Sequence, residues 1–173
     1  MADYGLLAKQ IVSLAEVDAH WLPVLSNAAA LLWDALDDIN WVGFYLVDPV
    51  TVTGAESDAD PSAHEPCIPE LRLGPFQGKV ACVRIPFGQG VCGTAAETKT
   101  SQLVEDVHQF PGHIACDSAS NSEVVVPIVE DNQVVGVLDI DSPSVARFTQ
   151  EDLAGLEQVV KALESCTNFS DFC

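Results

Sequence analysis

Residues 123–140 read EVVVPIVEDNQVVGVLDI. Two runs rich in β-branched residues flank a short polar turn, and this pattern constrains the fold more than any other. Runs of this length and chemistry form strands, and a turn as short as 130–133 can only bring them back antiparallel. The expected elements are a strand at 123–129, a turn at 130–133 and a partner strand at 134–140. An antiparallel sheet therefore underlies the chain.

The remaining segments are arranged around that hairpin. Apolar residues recur at helical spacing in 3–15 and again in 20–36, where Pro23 falls in the first turn and costs no hydrogen bond. NWVGFYLVD at 40–48 reads as a buried strand, and 71–76 as its hairpin partner. A third strand is expected at 81–85, carrying Cys82. The tight turn PFGQG follows, with glycines able to take positive φ. A short helix at 91–98 begins near Cys92, and a short strand lies at 101–104. Residues 105–122 form an irregular connection. At the C-terminal end Thr149 and Asp152 have the spacing of a capping box for a helix over 150–165. Residues 49–70 are a long polar loop with Cys67, and 165–173 are a tail. The order predicts an α+β fold of one domain over 1–173, with terminal helices on one sheet face and the connections on the other.

Charge narrows the function. Only 7 Lys and Arg stand against 26 Asp and Glu, for a formal net charge of −19. Such a surface repels phosphate backbones and anionic headgroups, which excludes nucleic-acid and membrane-surface roles. The start MADYGLLAKQ has no basic-then-apolar signal pattern, and no apolar run is long enough to span a bilayer. A cytoplasmic, reducing setting is expected. There, six cysteines are read as buried, metal-bound or catalytic rather than as structural bridges.

Three of them lie in suggestive settings. Cys92 follows Gly-Gln-Gly-Val at a helix start, where the dipole favours a thiolate. Cys116 sits in a polar loop between His113 and Asp117. Cys82 stands two residues before Arg84. A lone cysteine is usually a small buried hydrophobe, and that reading suffices for Cys67, Cys166 and Cys173. Zinc ranks below redox chemistry, because the spacings from Cys82 to Cys92 to Cys116 match no metal knuckle. Glu123 opens an apolar strand, so it faces either the rim or a cavity. Asp139 and Asp141 share one strand face. From pattern alone they form either a solvated face or a receptor for a cationic group.

NWVGFYLVD, LGPFQGKVACVRIPFGQGVCG, EDVHQFPGHIACDSASNSEVVVPI and VVGVLDIDSP together resemble the free methionine-(R)-sulfoxide reductases, which are single GAF domains. The resemblance runs from about Trp21 to Leu163. It implies about six antiparallel strands between helical layers and a small cavity for free methionine (R)-sulfoxide. It implies Cys116 as nucleophile, Cys82 as the preferred resolving thiol, and Cys92 as a motif cysteine that resolves or relays; the choice between these two stays open. It further implies Glu123, Asp139 and Asp141 as cavity acids, Trp41 on the wall, and pairing as a homodimer. No bound cofactor or metal is expected. Thioredoxin is the implied external reductant. The rival classes are a ligand-binding GAF module and a peroxide-sensing thiol switch. The first has no use for the three cysteines, and the second none for the three acids.

Overall fold

The computed structural model describes residues 2–47, 69–112 and 118–169. Most of the 49–70 loop lies outside them, as do Cys67, His113, Cys116, Asp117 and Cys173. The elements are α1 (Tyr4–Ala15), α2 (Trp21–Ala35), β1 (Trp41–Val47), β2 (Glu70–Gly78), β3 (Arg84–Pro86), α3 (Gly90–Thr98), β4 (Gln102–Val104), a 3-10 turn at Val107–Gln109, β5 (Ser122–Glu130), β6 (Gln133–Ser142) and α4 (Gln150–Cys166). The strands form one antiparallel sheet in the order β3-β2-β1-β6-β5-β4.

Local chemistry accounts for the element ends. The β5–β6 hairpin closes through Asp131 and Asn132, with φ of 47° and 62°. Two successive left-handed residues make the turn whose twist matches the strands, and Asp and Asn tolerate that conformation. β4 pairs only with Glu123, Val124 and Val125. β5 has therefore run past β4 at Pro127, where a missing N–H is tolerated. The expected capping box is present at α4: Asp152 N donates to Thr149 Oγ1 at 3.1 Å, and Thr149 N donates to Asp152 Oδ2 at 2.9 Å.

Strand alternation divides the interior into two layers. Val42, Phe44 and Leu46 of β1, Val124, Val126 and Ile128 of β5, and Leu138 and Ile140 of β6 pack against α1, α2 and α4. The alternate residues, Trp41, Tyr45, Val125 and Val137, face α3 and the loops with Leu71, Ile85, Val91 and Cys92. Terminal helices on one face and connections on the other were the expected arrangement.

Two expectations need correction. β2 continues beyond Phe76 to Gly78, whose φ of 126° only glycine adopts readily, and Glu70 belongs to this strand rather than to the preceding loop. The 81–85 strand is shortened to Arg84–Pro86, so Cys82 lies in the connection between β2 and β3. Its carbonyl accepts from the Tyr45 hydroxyl at 3.1 Å. Val80 and Val83, on either side, are exposed.

Candidate active site

Register assembles the acids expected to matter. Trp41 of β1 stands opposite Asp141 of β6, Asp141 opposite Glu123 of β5, and Glu123 opposite Val104 of β4. One pleat further along, Gly43 pairs with Asp139, and Asp139 with Val125. All of these point towards α3, because residues two apart share a face. Two neighbouring rows thus hold three carboxyl groups on the layer away from the long helices. Glu123 and Asp139 are buried, and Asp141 is partly exposed.

Trp41 walls one side. Its indole stacks on Phe76 with centroids 5.4 Å apart and on Tyr45 at 5.7 Å, and Nε1 donates to the Lys79 carbonyl at 3.1 Å. Gly43 makes this possible. A Cβ there would collide with the Phe76 Cβ and lie 2.6 Å from the Trp41 ring. Sequence reasoning singled out Trp41 and passed over Gly43, Tyr45 and Phe76. A glycine in the middle of an apolar strand was the available signal for a close approach.

Cys92 reaches the acids from the first turn of α3. Its Sγ lies 3.8 Å from Glu123 Oε1. The turn before it is formed as expected, with Gly88 and Gly90 at φ 76° and 62°. Gly93 N donates to the Gln89 carbonyl at 3.1 Å, so this amide serves the turn. The expectation of a helix-stabilised thiolate at Cys92 is overturned. Burial, then the charges of Asp139 and Glu123, push this thiol well above its ordinary value. A full charge here would lose its hydration and face two like charges, and the dipole of one short helix does not offset that.

The acids repel one another in the same way. Burial, followed by the Asp139 and Asp141 charges, holds Glu123 well above the ordinary carboxylate range. Asp139 rises less, to about 6; burial raises it, and hydrogen bonds from Cys92 and Glu123 pull it back. The thiol and Glu123 are thus pushed towards their neutral forms, and of the two buried acids Asp139 is the one less displaced from its ordinary range. Asp139 Oδ1 is buried with no hydrogen-bond partner among the described residues. Cys92 Sγ and one oxygen each from Glu123 and Asp139 lie within 4.8 Å of one another, so these three atoms would be the donors for a divalent cation. Shared protons also suffice to hold them together.

The raised value at Asp139 has a stability consequence with a definite sign. Folding favours the protonated form, so stability falls as pH rises from the unfolded value near 3.8 through about 6. Asp139→Asn removes a cost on the order of 2–3 kcal/mol above pH 7. Thermal melts should show the variant several degrees more stable at pH 8 and equal to the parent near pH 4. A variant less stable at pH 8 would show that the buried carboxylate stabilises the fold.

Cys82 is disulfide-bonded, whereas Cys92 and Cys166 carry free thiols. Cys166 is the last residue of α4 and lies remote in the chain from these elements.

Residues 24–165 match the GAF domain family. The chain is 48% identical over 169 residues to a free methionine-R-sulfoxide reductase of Escherichia coli K12, covering 98% of this chain and 91% of that one. The chain belongs to the free methionine-R-sulfoxide reductase family. Solved structures agree. The reduced form of fRMsr of Staphylococcus aureus is 49% identical, with a TM-score of 0.82 and 97% of each chain covered. A free methionine-R-sulfoxide reductase from Neisseria meningitidis, in complex with its substrate, is 41% identical with a TM-score of 0.77, covering 94% of this chain and 86% of that chain. The GAF fold expected of the family is the fold observed, with six strands and four α-helices among the described residues. Among the described residues, no helix is long and apolar enough to cross a membrane.

Proposed function

We propose that this protein reduces free methionine (R)-sulfoxide to methionine in the cytoplasm, with thioredoxin as the external reductant. The observation that carries the reading is the buried acid cluster beneath Trp41, in which one carboxylate oxygen of Asp139 has no hydrogen-bond partner among the described residues. A substrate bringing both an ammonium group and a proton-accepting sulfoxide oxygen answers both features. Asp139, ionised above about pH 6, takes the ammonium together with Asp141. Glu123, kept protonated by burial and by its neighbours, faces the oxygen. Trp41 and Phe76 pack the methylthio end.

The Cys116 thiolate attacks the sulfoxide sulfur while Glu123 gives a proton to the oxygen. The oxygen transfers to Cys116 as a sulfenic acid, and methionine leaves with its sulfur reduced. A resolving thiol then displaces hydroxide, which leaves as water, and a disulfide forms. Cys82 is the better choice for that thiol. It is the motif cysteine found disulfide-bonded, while Cys92 is free and its thiolate is disfavoured. Cys92 instead donates to Glu123, a hydrogen bond that tempers the rise which burial and the neighbouring acids impose on that carboxyl. An external dithiol supplies the two electrons that restore the thiols.

The test is one turnover of the pre-reduced protein with each epimer, free and peptide-bound. Free R-sulfoxide should yield one equivalent of methionine, and Cys82→Ser should still yield that equivalent without being recycled. Equal release from a peptide-bound sulfoxide would overturn the reading.

A further inference from the structure

The exposed face around Cys82 is not used by the chemistry above. From residue 71 to residue 96 the chain has no Asp or Glu, yet it holds Arg72, Lys79 and Arg84, three of its 7 basic residues. The rest of the molecule carries all 26 acids. Arg72 and Arg84 are register partners across β2 and β3, and Arg84 is bridged to Glu70 at 2.9 Å. Within this acid-free stretch, Val80 and Val83 are 86% and 66% exposed. Both flank Cys82, which is partly exposed and disulfide-bonded. The Tyr45 hydroxyl pins the Cys82 carbonyl at 3.1 Å, fixing the backbone that presents the sulfur.

We infer that the segment from Lys79 to Arg84 is the docking surface for the reducing protein, and that this protein attacks Cys82. The inference rests on the proposed recycling by a dithiol protein of the thioredoxin class and specifies where that partner binds. The two valines offer an apolar contact beside the disulfide. The stretch that bears them adds no acid of its own, and Glu70 beside it is paired with Arg84, so a partner meets less repulsion here than the net charge of the chain would suggest. The partner's thiolate attacks Cys82 Sγ, and the existing S–S bond breaks. The cysteine on its far side leaves as a thiolate and takes up a proton. The partner's second thiolate then attacks the mixed disulfide, freeing Cys82 and leaving the partner oxidised. Attack at Cys82, rather than at its partner sulfur, returns that other cysteine to the active state in the first step.

The experiment follows thiol recovery of the oxidised full chain, with no sulfoxide present, so its result is independent of whether the protein reduces methionine sulfoxide. Thioredoxin and dithiothreitol are compared as reductants. Val80→Glu with Val83→Glu should slow reduction by thioredoxin at least about tenfold and leave reduction by dithiothreitol unchanged. A thioredoxin with its second active cysteine replaced by serine should trap a mixed disulfide, and peptide mapping should place it on Cys82. Parental rates with thioredoxin in the double variant, or a cross-link on any other cysteine, would overturn the inference. Should the double variant also resist dithiothreitol, the cross-link site on the parent chain decides alone.

Discussion

Cys116→Ser should eliminate methionine release from the reduced protein, by at least about a thousandfold in the single-turnover rate, if Cys116 is the nucleophile as proposed. The size of the loss follows from the reaction. Reduction of a sulfoxide by a thiol requires a nucleophile to accept oxygen, and a serine hydroxyl is neither ionised at neutral pH nor able to form an O–S analogue that a thiol then resolves. Neither Cys92 nor Cys166 supplies a substitute, and Cys82, which is a thiol again in the reduced protein, is assigned to resolve the sulfenic acid rather than to attack the sulfoxide. Cys92 is buried among carboxyl groups that keep it protonated, and Cys166 ends α4, where burial also raises its thiol. Binding should survive, because the acids and the aromatic wall are untouched. Titration calorimetry on the variant should therefore show sulfoxide uptake without turnover. Release within about tenfold of the parent would move the nucleophile to another cysteine.

Glu123→Gln should lower the same rate by about a hundredfold to ten-thousandfold, the range lost when a positioned proton donor is removed. The amide keeps the volume and can still donate a hydrogen bond to Asp139 and to the substrate oxygen, but it has no proton to surrender. A small loss would mean that hydrogen bonding alone polarises the sulfoxide. The pH profile separates the cases. With Glu123 as donor, the parent's chemical step slows at high pH as the raised carboxyl finally ionises, whereas the glutamine variant lacks that limb. Substrate binding moves the other way at the acid end. It strengthens as pH rises through about 6, because Asp139 must ionise to pair with ammonium. Two acids of similar ordinary strength thus give opposite pH limbs because they sit differently in one cluster.

These assignments show which parts of the molecule could be read from its residues. The β5–β6 hairpin and the α4 cap were legible because their causes are local: a two-residue turn of Asp and Asn, and the Thr149–Asp152 pair. The family resemblance supplied Glu123, Asp139 and Asp141 as a set, and the register then explained how they meet. Cys82 falls outside the strand expected for it, and its carbonyl is held instead by the hydroxyl of Tyr45, 37 residues away, a contact that no local pattern signals. Cys92 was misread for a related reason. The position at a helix start is visible in the sequence, but the acids that cancel its effect come from β5 and β6 and meet it only in the folded chain. Gly43 went unweighed because a glycine has no chemistry of its own. Its role is to leave room for the Trp41 ring.

The division of β1, β5 and β6 into residues that face the long helices and residues that face α3 has a bearing on how such a chain can change. Neighbouring positions along one strand answer to different demands. Phe44, Val124 and Leu138 are held to volume and shape by the helices, whereas Tyr45, Glu123 and Asp139 are held to charge and hydrogen bonding. Substitutions can accumulate on one side while the other is kept, with the backbone of the sheet as the partition. A lineage built on this plan could therefore exchange its cavity chemistry without redesigning its scaffold, and could adjust its working temperature by altering helix contacts without moving an acid.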